Sequence, residues 1–152
     1  MSNVHFEDVL SQSSNGVPMN VYLAVKQVED AIRLFAHDQL KNLQQRNAVR
    51  ELADLWDVKQ FKTIWHLNDK TDNLNPHLIY IIIHEHLRRC EIKVIGVLKS
   101  TQLISDGLGM LYAIYQAYKE LNTIDLPAEV KVINIESDFQ QYLETVNKKL
   151  IQ

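Results

Sequence analysis

Apolar residues recur at three- and four-residue steps from Val21 onward, the spacing of one face of an α-helix. The stripe consists of Val21, Ala24, Val25, Val28, Ala31, Ile32, Phe35, Ala36, Leu40 and Leu43. Asn20 directly precedes it, and its side-chain oxygen can accept a hydrogen bond from a free amide of the first turn. A shorter stripe follows from about Ala48 and consists of Val49, Leu52, Ala53 and Trp56. Residues 20–59 are therefore predicted to be a helical segment.

Helical stripes alternate with short runs of Val and Ile in the rest of the chain. The run Ile92–Leu98 is typical of a strand buried on both faces. Strands are predicted at 61–67, 91–98 and 130–135. Helices are predicted at 76–89, where β-branched residues leave a strand as an alternative, at 106–121 and at 138–151. The short connections imply parallel strands with right-handed crossovers, so residues 60–152 are predicted to be an α/β domain with a small, mainly parallel sheet and helices.

The two C-terminal helices carry clear buried faces. The face of the first consists of Leu108, Leu111, Ile114, Tyr115, Tyr118 and Leu121, and that of the second of Phe139, Tyr142, Leu143, Val146 and Leu150. Ser137 and Gln140 fit a capping box at the start of the last helix. We expect Ile114, Tyr118 and Leu121 to face the sheet.

Residues 1–19 are polar, and their Ser, Asn, Gly and Pro content is typical of a flexible N-terminal segment. The first residues lack the basic start and apolar core of a signal peptide. The longest apolar run, Leu78–Ile83, is too short to span a bilayer. Cys90 is the single cysteine, which excludes an internal disulfide and fits a reducing compartment. We therefore expect a cytoplasmic protein that is not attached to a membrane.

The composition is that of a globular protein, with 46% hydrophobic and 23% charged residues. The net charge is −3 and the isoelectric point is near 6.0. Lys and Arg are scattered, with adjacent pairs only at Arg88-Arg89 and Lys148-Lys149. This balance does not favour nucleic acid as a partner.

The segment Ser100–Gly109 connects a predicted buried strand to a predicted helix. Ligands gather at the carboxyl ends of parallel strands, and free amides at a helix start attract anions. The candidate residues for binding a partner or an anion are Ser100, Thr101, Ser105, Asp106, Gly107 and Gly109. An alternative is that Ser105 or Asp106 only caps the helix while the glycines permit close packing.

The same segment carries a resemblance to a known family. Ile104-Ser105-Asp106-Gly107-Leu108-Gly109 is similar at four of six positions to the Asp-Ser-Ser-Gly-Leu-Gly segment of STAS domains, the fold of anti-anti-sigma factors. The order of predicted elements from 61 to 151 also resembles that fold. The resemblance implies that Ser105 stands at the family's phosphorylated hydroxyl. Asp106 beside it would disfavour a phosphate by like-charge repulsion, so a partner-binding surface would persist without the kinase switch.

His84, His86 and Cys90 raise the question of a metal or a nucleophile. On a helix, residues two apart point to different faces, so His84 and His86 could not bind one ion, although on a strand they could. No third ligand and no zinc-protease spacing accompany them. A cysteine at the start of a buried strand is usually inert. We expect no metal, no cofactor and no catalytic residue here.

The leading hypothesis is a small, non-catalytic regulatory protein that acts by binding another protein, identity unknown, through the segment 100–109. A second hypothesis is a small-ligand-binding protein or enzyme that uses the same segment. A third is an immunity or inhibitor protein of a toxin, with an acidic face formed by Glu29, Asp30, Asp38, Glu51, Asp54 and Asp57. The wide stripe of the first helix would also allow a homodimer.

Overall fold

A computed structural model describes residues 17–39, 76–131 and 135–151 of the chain. These residues form four α-helices: α1 (Met19–Gln39), α2 (Pro76–Thr101), α3 (Leu108–Leu121) and α4 (Phe139–Leu150). A short 3₁₀ helix, Ala128–Val130, lies between α3 and α4. The described ranges contain no strand, so the predicted α/β fold with a parallel sheet is wrong and this part of the chain is mainly helical.

The central error concerns residues 91–98, which are helical and not a buried strand. They belong to α2, a continuous helix of 26 residues that runs past the predicted end at Arg89. Leu87, Cys90, Val94 and Leu98 are fully buried at three- and four-residue steps, whereas Ile92 is 53% exposed. A strand buried on both faces would hide Ile92 too. The packing of one helical face therefore outweighs the preference of Val and Ile for strands.

The other two predicted strands are not observed as strands either. Val130 ends the 3₁₀ helix and Lys131 has extended dihedrals, but residues 132–134 lie outside the described residues. The predicted strand 61–67, the helix from about Ala48 and the boundary between 59 and 60 also lie outside them. The fold implied by the STAS resemblance requires a strand at 91–98, and the helix found there contradicts it.

Helix α3 lies at the centre of the described bundle. It packs against α1, α2 and α4, and α4 also packs against α2. The predicted buried face is confirmed at Leu111, Ile114, Tyr115, Tyr118 and Leu121, but these side chains face neighbouring helices and not a sheet. Leu108 is partly exposed at the first turn.

Helix α1 buries most of its predicted stripe, including Val21, Val25, Val28 and Ile32, each with no exposed surface. Asn20 does not cap this helix, because the helix already begins at Met19. Its side-chain amide instead donates to the Glu120 carboxylate at 2.7 Å and to the Thr123 hydroxyl at 2.9 Å. Asn20 therefore ties the start of α1 to the end of α3.

Helix α4 begins one residue later than predicted. Its N-cap is Asp138, whose side chain accepts a hydrogen bond of 2.9 Å from the Gln141 amide. Ser137 lies just outside the helix and donates to the Gln141 side chain. Tyr142 and Val146 are the fully packed residues of this amphipathic helix, and Leu143 is only partly buried. None of the helices that the structure describes is both long and apolar enough to cross a membrane.

Candidate functional site

The segment Ser100–Gly109 connects α2 to α3, as two helices and not as a strand and a helix. Thr101 is buried, and its hydroxyl donates to the Val97 carbonyl at 2.8 Å. The same oxygen accepts the Leu103 amide at 3.3 Å. Gln102 has a φ of 62°, which turns the chain sharply out of α2. Thr101 is thus committed to ending the helix, while Ser100 is exposed on its last turn.

The start of α3 does not present the row of free amides that an anion site needs. Gly107 occupies the N-cap position, and no side chain caps it. Its amide donates to carbonyl oxygens three and four residues earlier, and the Leu108 amide donates to the Ser105 carbonyl. The Met110 amide donates back to Gly107. Because these amides already have partners and the loop follows a helix and not a strand, its geometry does not support an anion site.

Ser105 and Asp106 are exposed and cap nothing, so both are accessible to a partner. The two glycines differ. A Cβ built on Gly107 would lie 3.0 Å from Leu98 Cγ and closer to both of its methyl groups, so Gly107 permits the packing of α3 on α2. A Cβ on Gly109 would meet nothing within 4 Å. Gly109 therefore leaves open surface beside Asp106.

That open surface is one wall of a small depression between α1 and α3, which we call the α1–α3 notch. Its volume is about 160 Å³. It is lined by Ala31, Leu34, Phe35, Asp38, Gln39, Asp106, Gly109 and Met110. Leu34 is 64% exposed, and Asp38 and Asp106 are also exposed. No Lys, Arg or His is among these lining residues, so the described part of the notch combines an exposed apolar side chain with two carboxylates.

The notch also clarifies the predicted acidic face. Glu29 is buried, with ion pairs to Arg33 at 2.6 Å and to Lys26 at 3.5 Å, so it does not belong to an exposed acidic surface. Asp30 and Asp38 are exposed, and Asp38 lies in the notch. The remaining members, Glu51, Asp54 and Asp57, lie outside the described residues. The structure thus brings Asp38 of the acidic set to Asp106 of the predicted loop site.

His86 and Cys90 occupy buried settings unsuited to metal or nucleophilic chemistry. His86 is buried in the core, and desolvation lowers its pKa to about 4. Its Nε2 lies 3.8 Å from Cys90 Sγ, and burial raises the pKa of that thiol to about 12. A thiolate is the reactive form of cysteine, so Cys90 stays unreactive near neutral pH. Within the described ranges, no three His, Cys, Asp or Glu residues are grouped as metal ligands.

A polar cavity that the sequence did not suggest lies between α2, α3 and α4, and we call it the α2–α4 cavity. Its volume is about 180 Å³. Its polar lining consists of His84, Glu91, Tyr115, Tyr118, Glu136, Tyr142, Thr145 and Lys149. His84 and Glu91 are seven residues apart, so they share a face of α2. A strand starting at residue 91 would not place Glu91 on the same helical face as His84, so the strand prediction gave no indication of this site.

Glu91 is a partly buried carboxylate of this cavity, with 12% of its side chain exposed. Its Oε2 accepts a 2.5 Å hydrogen bond from the Tyr142 hydroxyl, and its Oε1 lies 3.9 Å from the Nζ of Lys149. Burial, and then the nearby Glu91 carboxylate, raise the pKa of both Tyr118 and Tyr142, so both hydroxyls keep their protons. Desolvation lowers the pKa of His84, which favours the neutral ring. The cavity therefore places the Glu91 carboxylate beside two protonated tyrosine hydroxyls and a histidine whose neutral form is favoured.

Two surfaces thus stand out: the α1–α3 notch, which includes two residues of the predicted loop site, and the α2–α4 cavity. The candidate residues Ser100, Thr101, Ser105 and Gly107 line neither of them. Comparisons of the chain with protein-family models, with curated proteins and with solved structures find no significant match.

Proposed function

We propose that this chain is a non-catalytic protein that binds another protein through the α1–α3 notch. The observation that carries the proposal is the meeting of Asp38 and Asp106 with the exposed Leu34 around an open Gly109. The occupant is a partner segment with a Lys or Arg side chain next to an apolar residue. Its cation would neutralise the two carboxylates while its apolar neighbour covers Leu34.

Chemistry at other residues supports binding over catalysis. The single thiol is buried with a pKa of about 12, and its neighbour His86 has a pKa of about 4. A nucleophile that stays protonated beside a buried histidine does not make a catalytic pair. A reduced, buried cysteine also fits the cytoplasm, the compartment in which we propose that the protein acts.

Gly109→Arg is the variant that tests the notch most directly. The new side chain would enter open space, so the helix should fold as before, but it would fill the notch and offer its own cation to the carboxylates. Gly96→Arg is the matched control, because Gly96 is an exposed glycine of α2 whose Cβ would also meet nothing within 4 Å. Cross-linking and affinity capture from the native host would identify bound proteins. Titration of each purified partner would then give its affinity for the three chains.

We expect a partner that binds the wild type and Gly96→Arg alike and binds Gly109→Arg at least about tenfold more weakly. Asp38→Asn with Asp106→Asn should weaken the same partner, and added salt should weaken the wild-type complex. Equal affinity for Gly109→Arg and Gly96→Arg would remove the notch from the function. If the wild type is a dimer and Gly109→Arg is a monomer, the notch binds a second copy of this chain, which would contradict the proposal.

A further inference from the structure

The α2–α4 cavity holds a carboxylate whose hydrogen bonding is incomplete. Glu91 Oε2 is satisfied by Tyr142, but among the described residues Oε1 has only Lys149 at 3.9 Å, which is beyond hydrogen-bonding distance. The Lys149 side chain is 52% exposed, so solvent weakens its attraction to Glu91. Oε1 is accessible from the cavity, and a bound cation could donate a charge-assisted hydrogen bond to it.

Tyr118 supplies a second, independent observation. This tyrosine is 9% exposed and lines the cavity beside Glu91. Its hydroxyl makes no hydrogen bond to any residue that the structure describes, whereas the other two tyrosine hydroxyls of the cavity donate to Glu91 and to the Glu136 carbonyl. The hydroxyl oxygen itself retains accessible surface, so a molecule in the cavity can reach it and supply a hydrogen-bond partner.

We propose that the α2–α4 cavity binds a short aliphatic amine, with the ammonium group on Glu91 Oε1 and in reach of the Tyr118 hydroxyl. This site is separate from the α1–α3 notch, with which it shares no lining residue. The ammonium replaces the loose contact of Lys149, whose exposed side chain is free to move into solvent.

The charge of the lining selects a cation over an anion. Glu91 and Glu136 both line the cavity, against the single, half-exposed Lys149. The rings of Tyr115, Tyr118 and Tyr142 also line it, and aromatic faces attract ammonium groups. An anion would be repelled by the two carboxylates, and its attraction to the half-exposed Lys149 would be screened by water.

The cavity has room for a short chain. Its volume is about 180 Å³, and it is open to solvent on one side. A short aliphatic amine therefore fits within it. A diamine of this length fits best, because its second ammonium can approach the Glu136 carboxylate or the solvent at the cavity mouth.

Calorimetric titration with putrescine tests the proposal. The wild type should bind one molecule per chain with saturation, and butyrate, an anion of similar size, should give no saturable heat. Glu91→Gln keeps the shape and an acceptor for Tyr142 but removes the charge, so it should weaken binding at least about tenfold. Glu144→Gln is the matched control, because Glu144 is an exposed residue of α4 outside the cavity, and it should bind like the wild type.

An NMR titration of the wild type requires no variant and so does not depend on the folding of Glu91→Gln. Ring resonances of Tyr118 and Tyr142 should shift saturably with putrescine, while those of Tyr80, buried outside the cavity, should not. The absence of saturable shifts up to about 10 mM amine would overturn the proposal. Equal affinities of wild type and Glu91→Gln, or butyrate binding as tightly as putrescine, would also overturn it.

Discussion

Gly107 packs closely against the side chain of Leu98. Replacing Gly107 by Ala would place a Cβ 3.0 Å from Leu98 Cγ and closer to its methyl groups, and Leu98 is fully buried. The leucine would have to move within a filled core, which typically costs about 1–3 kcal/mol. We therefore expect Gly107→Ala to lower the free energy of unfolding by that amount in urea titrations.

Gly109→Ala provides the comparison for this experiment, because its Cβ would meet nothing within 4 Å. Its free energy of unfolding should be unchanged or raised by up to about 1 kcal/mol, since Ala is the better helix former. If both variants unfold at the same urea concentration, α3 does not pack on α2 at Gly107.

Among single residues, the sequence predicted buried positions better than helix caps. The stripes of α1 and α3 follow from spacing alone, because a helix must hide its apolar face whatever it packs against. The N-cap is the last residue before helical geometry begins, so a shift of the helix start by one position changes which residue caps it. Asn20 and Asp138 show the two ways in which this goes wrong: Asn20 bonds to distant residues on α3 and beyond, and Asp138 displaces the adjacent Ser137.

At the level of elements, α2 shows why the predicted fold class was wrong. Ile92–Leu98 is rich in Val and Ile, and a short apolar run cannot by itself distinguish a buried strand from a buried helix. What decides is continuity with the residues before it: Leu87 and Cys90 extend through Val94 to Leu98 as one buried stripe. The pair Arg88-Arg89 looked like a helix end, but both are exposed on the outer side of the continuing helix.

Two substitutions separate a helix at 91–98 from a strand. Ile92 is 53% exposed in the helix, so Ile92→Lys should change the free energy of unfolding by less than about 0.5 kcal/mol. Val94 has no exposed surface, so Val94→Lys would bury a charge and should unfold the protein or lower its stability by several kcal/mol, about 3 or more. Urea titrations followed by circular dichroism give both values. Severe destabilisation by Ile92→Lys would contradict the helix and indicate that residues 91–98 form a buried strand.

At the scale of the whole molecule, the two proposed binding surfaces depend on helix packing that residue spacing does not encode. The loop 100–109 was identified from its residues, and Asp106 and Gly109 do line the notch, but Leu34 and Asp38 join them only because α1 packs against α3. The α2–α4 cavity requires three helices to meet. In the sequence, Glu91 is an ordinary helical carboxylate. Its hydrogen bond from Tyr142 on α4 joins residues that are 51 positions apart, so spacing along the chain does not predict it.

The stability of the whole molecule should fall on mild acidification because of His86. Desolvation lowers its pKa from 6.5 to about 4 in the folded protein. Between these values the unfolded chain binds a proton that the folded chain excludes, so unfolding becomes more favourable as the pH falls. From about pH 7 to about pH 5 this single group should lower the free energy of unfolding by roughly 2 kcal/mol. Urea titrations at the two pH values measure the decrease.

His86→Leu isolates this contribution, because leucine has a similar size and does not titrate. Carboxylates, and His84 with its own lowered pKa, titrate in both proteins and contribute equally to both decreases. The wild type should therefore lose roughly 2 kcal/mol more than His86→Leu over the same interval, whatever the stability of the variant at neutral pH. An NMR titration of the wild type locates the cause, since the His86 ring should keep its neutral shift well below pH 6.5. Equal decreases in the two proteins, or a His86 ring that protonates near its ordinary value, would mean that His86 is hydrated and that α2 does not bury it in this core.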